Sequence, residues 1–107
     1  MTTYRDHQIL IKQTKLALQK EFPNIRCFER HVGLFYRKNG VPIKINKRGM
    51  ADMYAIHNGI HVEMEFKTGK AVLSKYQKNW RDMCHKINCP WVLVRLINDA
   101  LEFVGKL

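Results

Sequence analysis

The chain has 107 residues, a length that suits one domain able to bury a hydrophobic core. Hydrophobic residues make up 46% of it and prolines number only 3, which excludes a largely disordered or low-complexity chain. Its 19 Lys and Arg against 9 Asp and Glu give a net charge of +10, so a polyanion is the expected partner. Nucleic acid is the first choice, and an anionic membrane is the alternative.

The hydropathy and the cysteine content of the chain bear on its compartment. No apolar run approaches the roughly 18 residues of a membrane span, and the start of the chain is too polar for a signal peptide. The cysteine count of 3 is odd, which excludes a complete disulfide framework and fits a reducing compartment. We therefore expect a soluble, cytoplasmic protein with no membrane partner.

Helical and strand-like periodicities alternate along the chain. The predicted helices run from Tyr4 to Phe22, from a cap at Ser74 to about Ile87, and from a cap at Asn98 or Asp99 toward the C terminus. The predicted strands lie within Ile25 to Tyr36, Val41 to Ile45, Met50 to His57, Ile60 to Lys67, and Trp91 to Val94.

Capping and turn residues mark the joints between these elements. Thr2 or Thr3 is the expected cap of the first helix, and Asn58-Gly59 is the strongest hairpin signal in the sequence. Together these elements predict an α/β fold that forms a single domain over residues 1–107. Its core has the order α-β-β-β-α-β around a mixed sheet, and a short C-terminal helix follows.

The hairpin around Asn58-Gly59 brings chemically useful side chains together. Counting back from the turn places Asp52 roughly opposite Glu65 on the partner strand. Residues two apart on a strand share a face, so Glu65 and Lys67 project to the same side. Two acids and an ammonium group therefore converge on one patch.

This patch suits hydrolysis of a phosphodiester. Carboxylate oxygens from two strands are the ligands that Mg²⁺ or Mn²⁺ accepts, and a bound metal polarises phosphate and acidifies water. Lys67 is suited to stabilising charge that develops on phosphorus. Glu63 shares this strand face, as a supporting contact behind the metal or as the ion-pair partner of a lysine.

Three sequence stretches together resemble the stand-alone VRR-NUC nucleases of phages and bacteria, within the PD-(D/E)XK superfamily. They are His31-Val32-Gly33-Leu34-Phe35, Lys47-Arg48-Gly49-Met50-Ala51-Asp52, and Glu65-Phe66-Lys67-Thr68-Gly69-Lys70 with Leu73-Ser74-Lys75-Tyr76-Gln77. The resemblance covers nearly the whole chain and implies a restriction-endonuclease-like core. It also implies a DNA endonuclease working in the cytoplasm of a bacterium or phage-infected cell.

The resemblance assigns roles to individual residues. Asp52 and Glu65 would be metal ligands, with the main-chain carbonyl of Phe66 as a third. Lys67 would be the catalytic lysine, and Gln77 would reach the site from its helix as a further catalytic residue. An exposed position on the helix is the alternative for Gln77.

Two positions depart from the pattern of the family. Its members tend to carry an acid on the first helix near the site, where this chain offers Asp6, His7, Gln8 and Gln13, then Glu21 at the far end. His31 stands where an Asn often precedes the glycine. We expect His31 to pack against the protein, with a DNA contact or a supporting place behind the metal site as alternatives.

The net positive charge is expected to follow the phosphates of DNA through the cleft. The candidate nucleic-acid-binding residues are Arg37, Lys38, Lys47, Arg48, Lys70 and Lys75.

A single site can cut both strands of a duplex or a junction only by pairing with a second copy, so we expect a homodimer. We also expect such a homodimer to select branched DNA, as a junction resolvase does. The alternatives are a non-catalytic basic nucleic-acid-binding domain on the same fold and a nuclease subunit that is silent without a partner.

Overall fold

The computed structural model describes residues 4–31 and 33–107 of the chain. The predicted cap at Thr2 or Thr3 lies outside these residues. In chain order the elements are α1 Tyr4–Glu21, β1 Arg26–Glu29, β2 Gly33–Tyr36, β3 Pro42–Ile45, β4 Met53–His57, β5 Ile60–Phe66, α2 Lys75–Lys86, β6 Trp91–Val94 and α3 Ile97–Gly105.

The main sheet has four strands in the order β1-β4-β5-β6. Strand β6 runs parallel to β5, and the other neighbours are antiparallel, so the predicted mixed sheet is confirmed. Strands β2 and β3 form a separate two-stranded antiparallel sheet. With that hairpin counted as an insertion between β1 and β4, the predicted α-β-β-β-α-β order is confirmed.

The turn between β4 and β5 sets the register on which the site depends. Asn58 and Gly59 both have positive φ angles, 51° and 79°, as a tight two-residue hairpin with the twist of its strands requires. The resulting register places Met53 opposite Met64.

Helices pack on both faces of the sheet, and the residues of β5 alternate between these two faces. Val62, Met64 and Phe66 are fully buried and belong to the hydrophobic core, to which α1 and α3 contribute Leu18, Val104 and their neighbours. The alternate residues, Glu63 and Glu65, are also buried but face the opposite side, where α2 packs. One face of the sheet is thus the hydrophobic core, and the other is lined with carboxylates.

Some predicted boundaries are wrong. The β-type stretch from Ile25 to Tyr36 is divided between two sheets, and β4 begins at Met53 rather than at Met50. Gly49 lies in a turn just before this segment, and its φ is +92°. A Cβ atom there would lie only 2.3 Å from the carbonyl oxygen of Tyr76, so this position, where the chain passes close to α2, requires glycine.

The start of α3 also differs from the prediction. The helix begins at Ile97, and the Asp99 carboxylate accepts hydrogen bonds from the main-chain N–H groups of Leu96 (2.9 Å) and Arg95 (3.0 Å). Asp99 therefore caps the helix from its third position rather than preceding it. Among the helices that the structure describes, none is both long and apolar enough to cross a membrane.

Candidate metal and catalytic site

Asp52 and Glu65 meet at the end of the β4–β5 hairpin. Continuing the register beyond Met53 and Met64 by one position places Asp52 opposite Glu65, as the sequence predicted. The main-chain N–H of Phe66 donates to Asp52 Oδ2 at 2.8 Å, which ties this carboxylate to the partner strand. The acid just before β4 and the acid on β5 thus lie close enough to interact.

Glu65 is a buried acid whose charge is not fully compensated. Its side chain is 2% exposed. Burial, followed by the negative charge of Asp52, raises the pKa of Glu65 from 4.5 to about 8, although Lys67 opposes the shift. A buried carboxylate of this kind is stabilised in its ionised form by an added cation, so the position favours binding of a metal ion.

Lys67 and Gln77 both contact Glu65. The Nζ atom of Lys67 lies 3.7 Å from Glu65 Oε1, and the Lys67 side chain is only 16% exposed. Gln77 Nε2 donates to the same oxygen at 2.8 Å. Both residues therefore face the acids, and Gln77 is not merely an exposed helix residue.

The start of α2 explains why Gln77 points at Glu65. Ser74 caps the helix with its hydroxyl, which accepts from the Gln77 N–H at 3.2 Å. The Gln77 Oε1 atom accepts in return from the Ser74 N–H at 2.9 Å, completing a capping box. With its oxygen held by the cap, the side-chain amide has its NH₂ group left to donate to Glu65.

His7, on the first turn of α1, also reaches the site. Its Nε2 atom lies 3.2 Å from Asp52 Oδ2 and 3.0 Å from the carbonyl oxygen of Phe66. The hydrogen bond with Asp52 raises the pKa of His7 above 6.5, although partial burial opposes the shift. The first helix thus supplies a histidine that contacts Asp52 and the Phe66 carbonyl.

Glu63 has a different environment from Glu65. It accepts two hydrogen bonds from the Arg30 guanidinium, at 2.6 and 2.8 Å, one from Trp80 Nε1 at 2.9 Å, and one from His61. Burial alone would raise the pKa of Glu63, but these hydrogen bonds outweigh it and lower the pKa. The ion-pair partner is therefore Arg30, and the predicted pairing with a lysine is wrong.

Arg30 also connects Glu63 to the Asp52 segment. Its guanidinium donates to the Ala51 carbonyl at 3.2 Å, and its main-chain N–H donates to the Asp52 carbonyl at 2.7 Å. Through Arg30, Glu63 thus supports the segment that carries Asp52. The hydrogen bonds of Glu63 go to Arg30, His61 and Trp80, and not to Asp52 or Glu65.

The donor atoms suit a hard divalent cation. Among the described residues, no group of three or more His, Cys, Asp and Glu side chains is placed to hold a metal ion. Two carboxylates and the Phe66 carbonyl are nonetheless the kind of incomplete oxygen set to which Mg²⁺ or Mn²⁺ binds while retaining water. The raised pKa of Glu65 fits such a site.

The predicted DNA-binding residues are exposed and lie on three segments. Lys47 and Arg48 precede Asp52, and the Arg48 guanidinium lies 4.8 Å above the centre of the Tyr76 ring. Lys70 lies in the loop between β5 and α2, and Lys75 is the first residue of α2. Arg37 and Lys38 form the turn between β2 and β3.

Two further contacts bear on these segments. Arg95 donates to the carbonyls of Gly69 (3.4 Å) and Ala71 (2.8 Å), which holds the loop that carries Lys70. His31 is exposed, so its predicted packing is wrong, and its main-chain carbonyl accepts from Asn46.

Sequence reasoning named His7 only as one of several residues that the first helix offers near the site, and it did not name Arg30. The signal for His7 was present, because His7 lies on the same helical face as the buried residues Ile11, Thr14 and Leu18. Arg30 gave no comparable signal, since the residue follows a strand and its partner Glu63 lies 33 positions further along the chain.

Comparisons with known proteins add no relative. No protein-family model matches this sequence, and no curated protein is significantly similar to it.

Proposed function

We propose that this protein is a divalent-metal-dependent DNA endonuclease that hydrolyses phosphodiester bonds. The observation that supports this most strongly is the buried Glu65, held beside Asp52 and Lys67 with its pKa raised to about 8. A purely structural role gives no reason to bury one carboxylate against another. A site for a cation and a phosphate does.

Different residues of the site would bind the metal ion and the phosphate. Asp52, Glu65 and the Phe66 carbonyl would hold Mg²⁺ or Mn²⁺, which when bound polarises the phosphate and lowers the pKa of a water molecule. Lys67 provides a fixed positive charge near the phosphate oxygens, on which negative charge develops in the transition state. Gln77 fixes the orientation of the Glu65 carboxylate through the hydrogen bond to Oε1.

DNA is the substrate that the charge of the chain favours. The net charge is +10, and the exposed Lys47, Arg48, Lys70 and Lys75 belong to the segments just before Asp52 and just after Lys67 in sequence. Phosphate contacts from these residues would position the backbone without reading its sequence. Two such sites in a homodimer would cut both strands of a duplex or a branched junction.

A cleavage assay tests this proposal. Purified protein would be incubated with supercoiled plasmid and with a labelled four-way junction, in Mg²⁺, in Mn²⁺ and in EDTA. The Asp52→Ala variant is the control. We expect cutting that requires metal and disappears in Asp52→Ala, and the ratio of junction to plasmid cutting reports whether branched DNA is preferred.

Other results would favour the alternatives. Salt-sensitive DNA binding by both proteins, with no cutting in either metal, would contradict the nuclease proposal and favour a binding module. Cutting that begins only when another protein is added would favour a partner-dependent subunit.

A further inference from the structure

A small pocket lies between α2 and the loop that precedes Asp52, and we refer to it as the α2 pocket. Its volume is about 160 Å³. Two loop residues and four helix residues line it: Lys47, Arg48, Tyr76, Asn79, Trp80 and Met83. None of the proposed metal ligands belongs to this lining, so the pocket is a feature additional to the proposed catalytic site.

The helical wall of the α2 pocket is one face of α2. Tyr76, Trp80 and Met83 are spaced by four and three residues, which places them in a row along the helix. Trp80 is fixed in this row, because its Nε1 atom donates to Glu63 Oε1 at 2.9 Å. Tyr76 is 47% exposed, so a ligand can reach its ring. The wall is therefore an accessible apolar surface.

The opposite wall is a tight turn of the loop. The Met50 N–H donates to the Lys47 carbonyl at 3.2 Å, and Gly49 lies so close to α2 that the Tyr76 carbonyl leaves no room for a Cβ atom. The turn is thereby held against the start of the helix. The Arg48 guanidinium lies 4.8 Å from the centre of the Tyr76 ring. Two positively charged side chains and an aromatic surface thus line the same pocket.

This lining indicates a planar ring attached to a negative charge. A bare phosphate would need only Lys47 and Arg48, and the apolar wall would add nothing to its binding. Because a cavity of about 150 Å³ can hold one benzene-sized ring, a volume of 160 Å³ suits the single ring of a pyrimidine base. Aromatic rings and guanidinium groups stack on bases, and the exposed Asn79 amide offers a donor and an acceptor to a base edge.

Helix α2 links the pocket to the proposed catalytic site. Gln77, the residue after Tyr76, donates to Glu65 at 2.8 Å, and Trp80 donates to Glu63 on the same strand. Gln77 and Trp80 are separated by about 4.5 Å along the helix axis. A base in the pocket would therefore belong to a nucleotide close to the phosphate at the site.

We propose that the α2 pocket binds one unpaired pyrimidine base of the DNA. This inference rests on the proposed function, since it takes DNA as the ligand of the chain. A base inside a duplex is paired and stacked, so only an unpaired base can enter a pocket of this kind. The protein would then bind DNA with an unpaired base, such as a bulge, more tightly than a continuous duplex.

Binding of DNA with one bulged thymine tests the pocket without cleavage. Fluorescence anisotropy in EDTA would compare three labelled DNAs: a fully paired duplex, the duplex with a bulged thymine, and the same bulge with an abasic nucleotide. Because the abasic bulge keeps its phosphate, the difference between the two bulges reports the base alone. We expect wild type to bind the thymine bulge at least about 5-fold more tightly than either of the others, as stacking on aromatic side chains provides.

Two substitutions on α2 should remove this preference. Tyr76→Ala deletes the stacking surface and should bring the ratio between the thymine and abasic bulges close to 1. Asn79→Ala deletes the amide and should lower the ratio by a smaller factor. Both positions are exposed, and circular dichroism checks that the variants are folded. The matched control is Asn98→Ala, because Asn98 is exposed on α3, on the other face of the sheet. This variant should keep the ratio.

Photocrosslinking locates the base directly. 5-Iodouracil in place of the bulged thymine forms a crosslink, when irradiated, to an aromatic side chain that contacts it. We expect the crosslink in the peptide that contains Tyr76 and Trp80, identified by mass spectrometry. Crosslinks found only in other peptides would place the base on another surface and overturn the assignment.

The outcomes separate the two proposals. Equal binding of the thymine and abasic bulges by wild type, or a preference that survives in Tyr76→Ala, would overturn the role of the pocket and leave DNA as the ligand. Wild type that binds none of the three DNAs would contradict the proposed function, and the pocket with it. A preference for the thymine bulge in a protein that cuts no DNA would contradict the nuclease alone and support the pocket.

Discussion

Two glutamates on one strand have buried carboxylates in two different electrostatic environments. Glu63 and Glu65 are each 1% exposed, two residues apart on β5, and both face α2. Glu63 accepts hydrogen bonds from Arg30, Trp80 and His61, and its pKa is lowered. Glu65 lies near Asp52, and its pKa is raised to about 8.

The difference lies in what completes each site. The charge of Glu63 is matched within the fold by a bidentate guanidinium, so its cost of burial is offset when the chain folds. The charge of Glu65 is opposed by Asp52 and only partly compensated by Lys67. The first environment is complete without a ligand, whereas the second favours a bound cation.

Replacing Glu63 should have the largest effect on stability. The Glu63→Gln variant leaves the Arg30 guanidinium, 12% exposed, without its charge partner. We expect the free energy of unfolding to fall by about 3–5 kcal/mol, the cost of breaking a buried ion pair. Urea denaturation monitored by circular dichroism measures this.

The matched control is Glu65→Gln in EDTA, made on the same strand two residues away. Because the pKa of about 8 keeps Glu65 protonated in the folded protein at neutral pH, a neutral amide replaces a neutral acid and avoids the proton uptake that folding requires, so the unfolding free energy should stay the same or rise. Equal losses of stability in both variants would remove the distinction between the two glutamates.

Adding a divalent cation should stabilise only the Glu65 environment. At a concentration of Mn²⁺ 100 times its dissociation constant, wild type should gain about 2.7 kcal/mol in unfolding free energy. Glu65→Gln should gain much less, since one of its two carboxylate ligands is missing. A gain of the same size in both proteins would place the cation elsewhere.

The pH dependence of stability should have opposite signs for the two acids. With the pKa of Glu65 raised from 4.5 to about 8, the folded protein holds a proton that the unfolded chain releases. Its contribution is therefore complete below pH 4.5 and is lost as the pH rises toward 8. The lowered pKa of Glu63 makes its contribution complete above pH 4.5 and lost as the pH falls.

Denaturation curves in EDTA between pH 5 and 8 test this sign. His7, whose pKa is also raised, adds a fall in stability above pH 6.5, so His7→Gln should be the background for the comparison. In that background, Glu65→Gln should abolish most of the remaining fall. A slope that is unchanged would show that Glu65 does not titrate in this range.

The smallest expected effect concerns the exposed lysines. If Lys70 contacts a phosphate, Lys70→Ala should lower the magnitude of the salt dependence of DNA binding by about 0.9 in log Kd per log salt. Lys20→Ala, an exposed position in the last turn of α1, is the matched control and should leave the slope unchanged. Fluorescence anisotropy at several salt concentrations measures both slopes.

The sequence predicted those parts of the molecule that depend on local pattern. Asn58-Gly59 has one strongly favoured conformation, so the hairpin and its register followed, and with them the approach of Asp52 to Glu65. Ser74 and Gln77 form a capping box within four residues, which a sequence pattern also indicates.

The remaining parts depend on contacts between distant segments. His7 lies 45 positions before Asp52, and Arg30 lies 33 positions before Glu63, so no local pattern pairs them. The close approach of Gly49 to the Tyr76 carbonyl is likewise a contact between distant segments. The contacts of His7 and Arg30 were therefore the part of the site that sequence could not predict.

The most direct test of the central claim is cleavage of a labelled four-way junction by wild type and Glu65→Gln, with DNA binding measured on the same samples. We expect wild type to cut in Mg²⁺ or Mn²⁺ and not in EDTA. Glu65→Gln should remain folded and bind the junction, and its cutting should fall by about 10²–10³-fold or more. Cutting by Glu65→Gln at the wild-type rate, or binding without cutting by wild type in both metals, would contradict the claim that Glu65 belongs to a metal-dependent nuclease site.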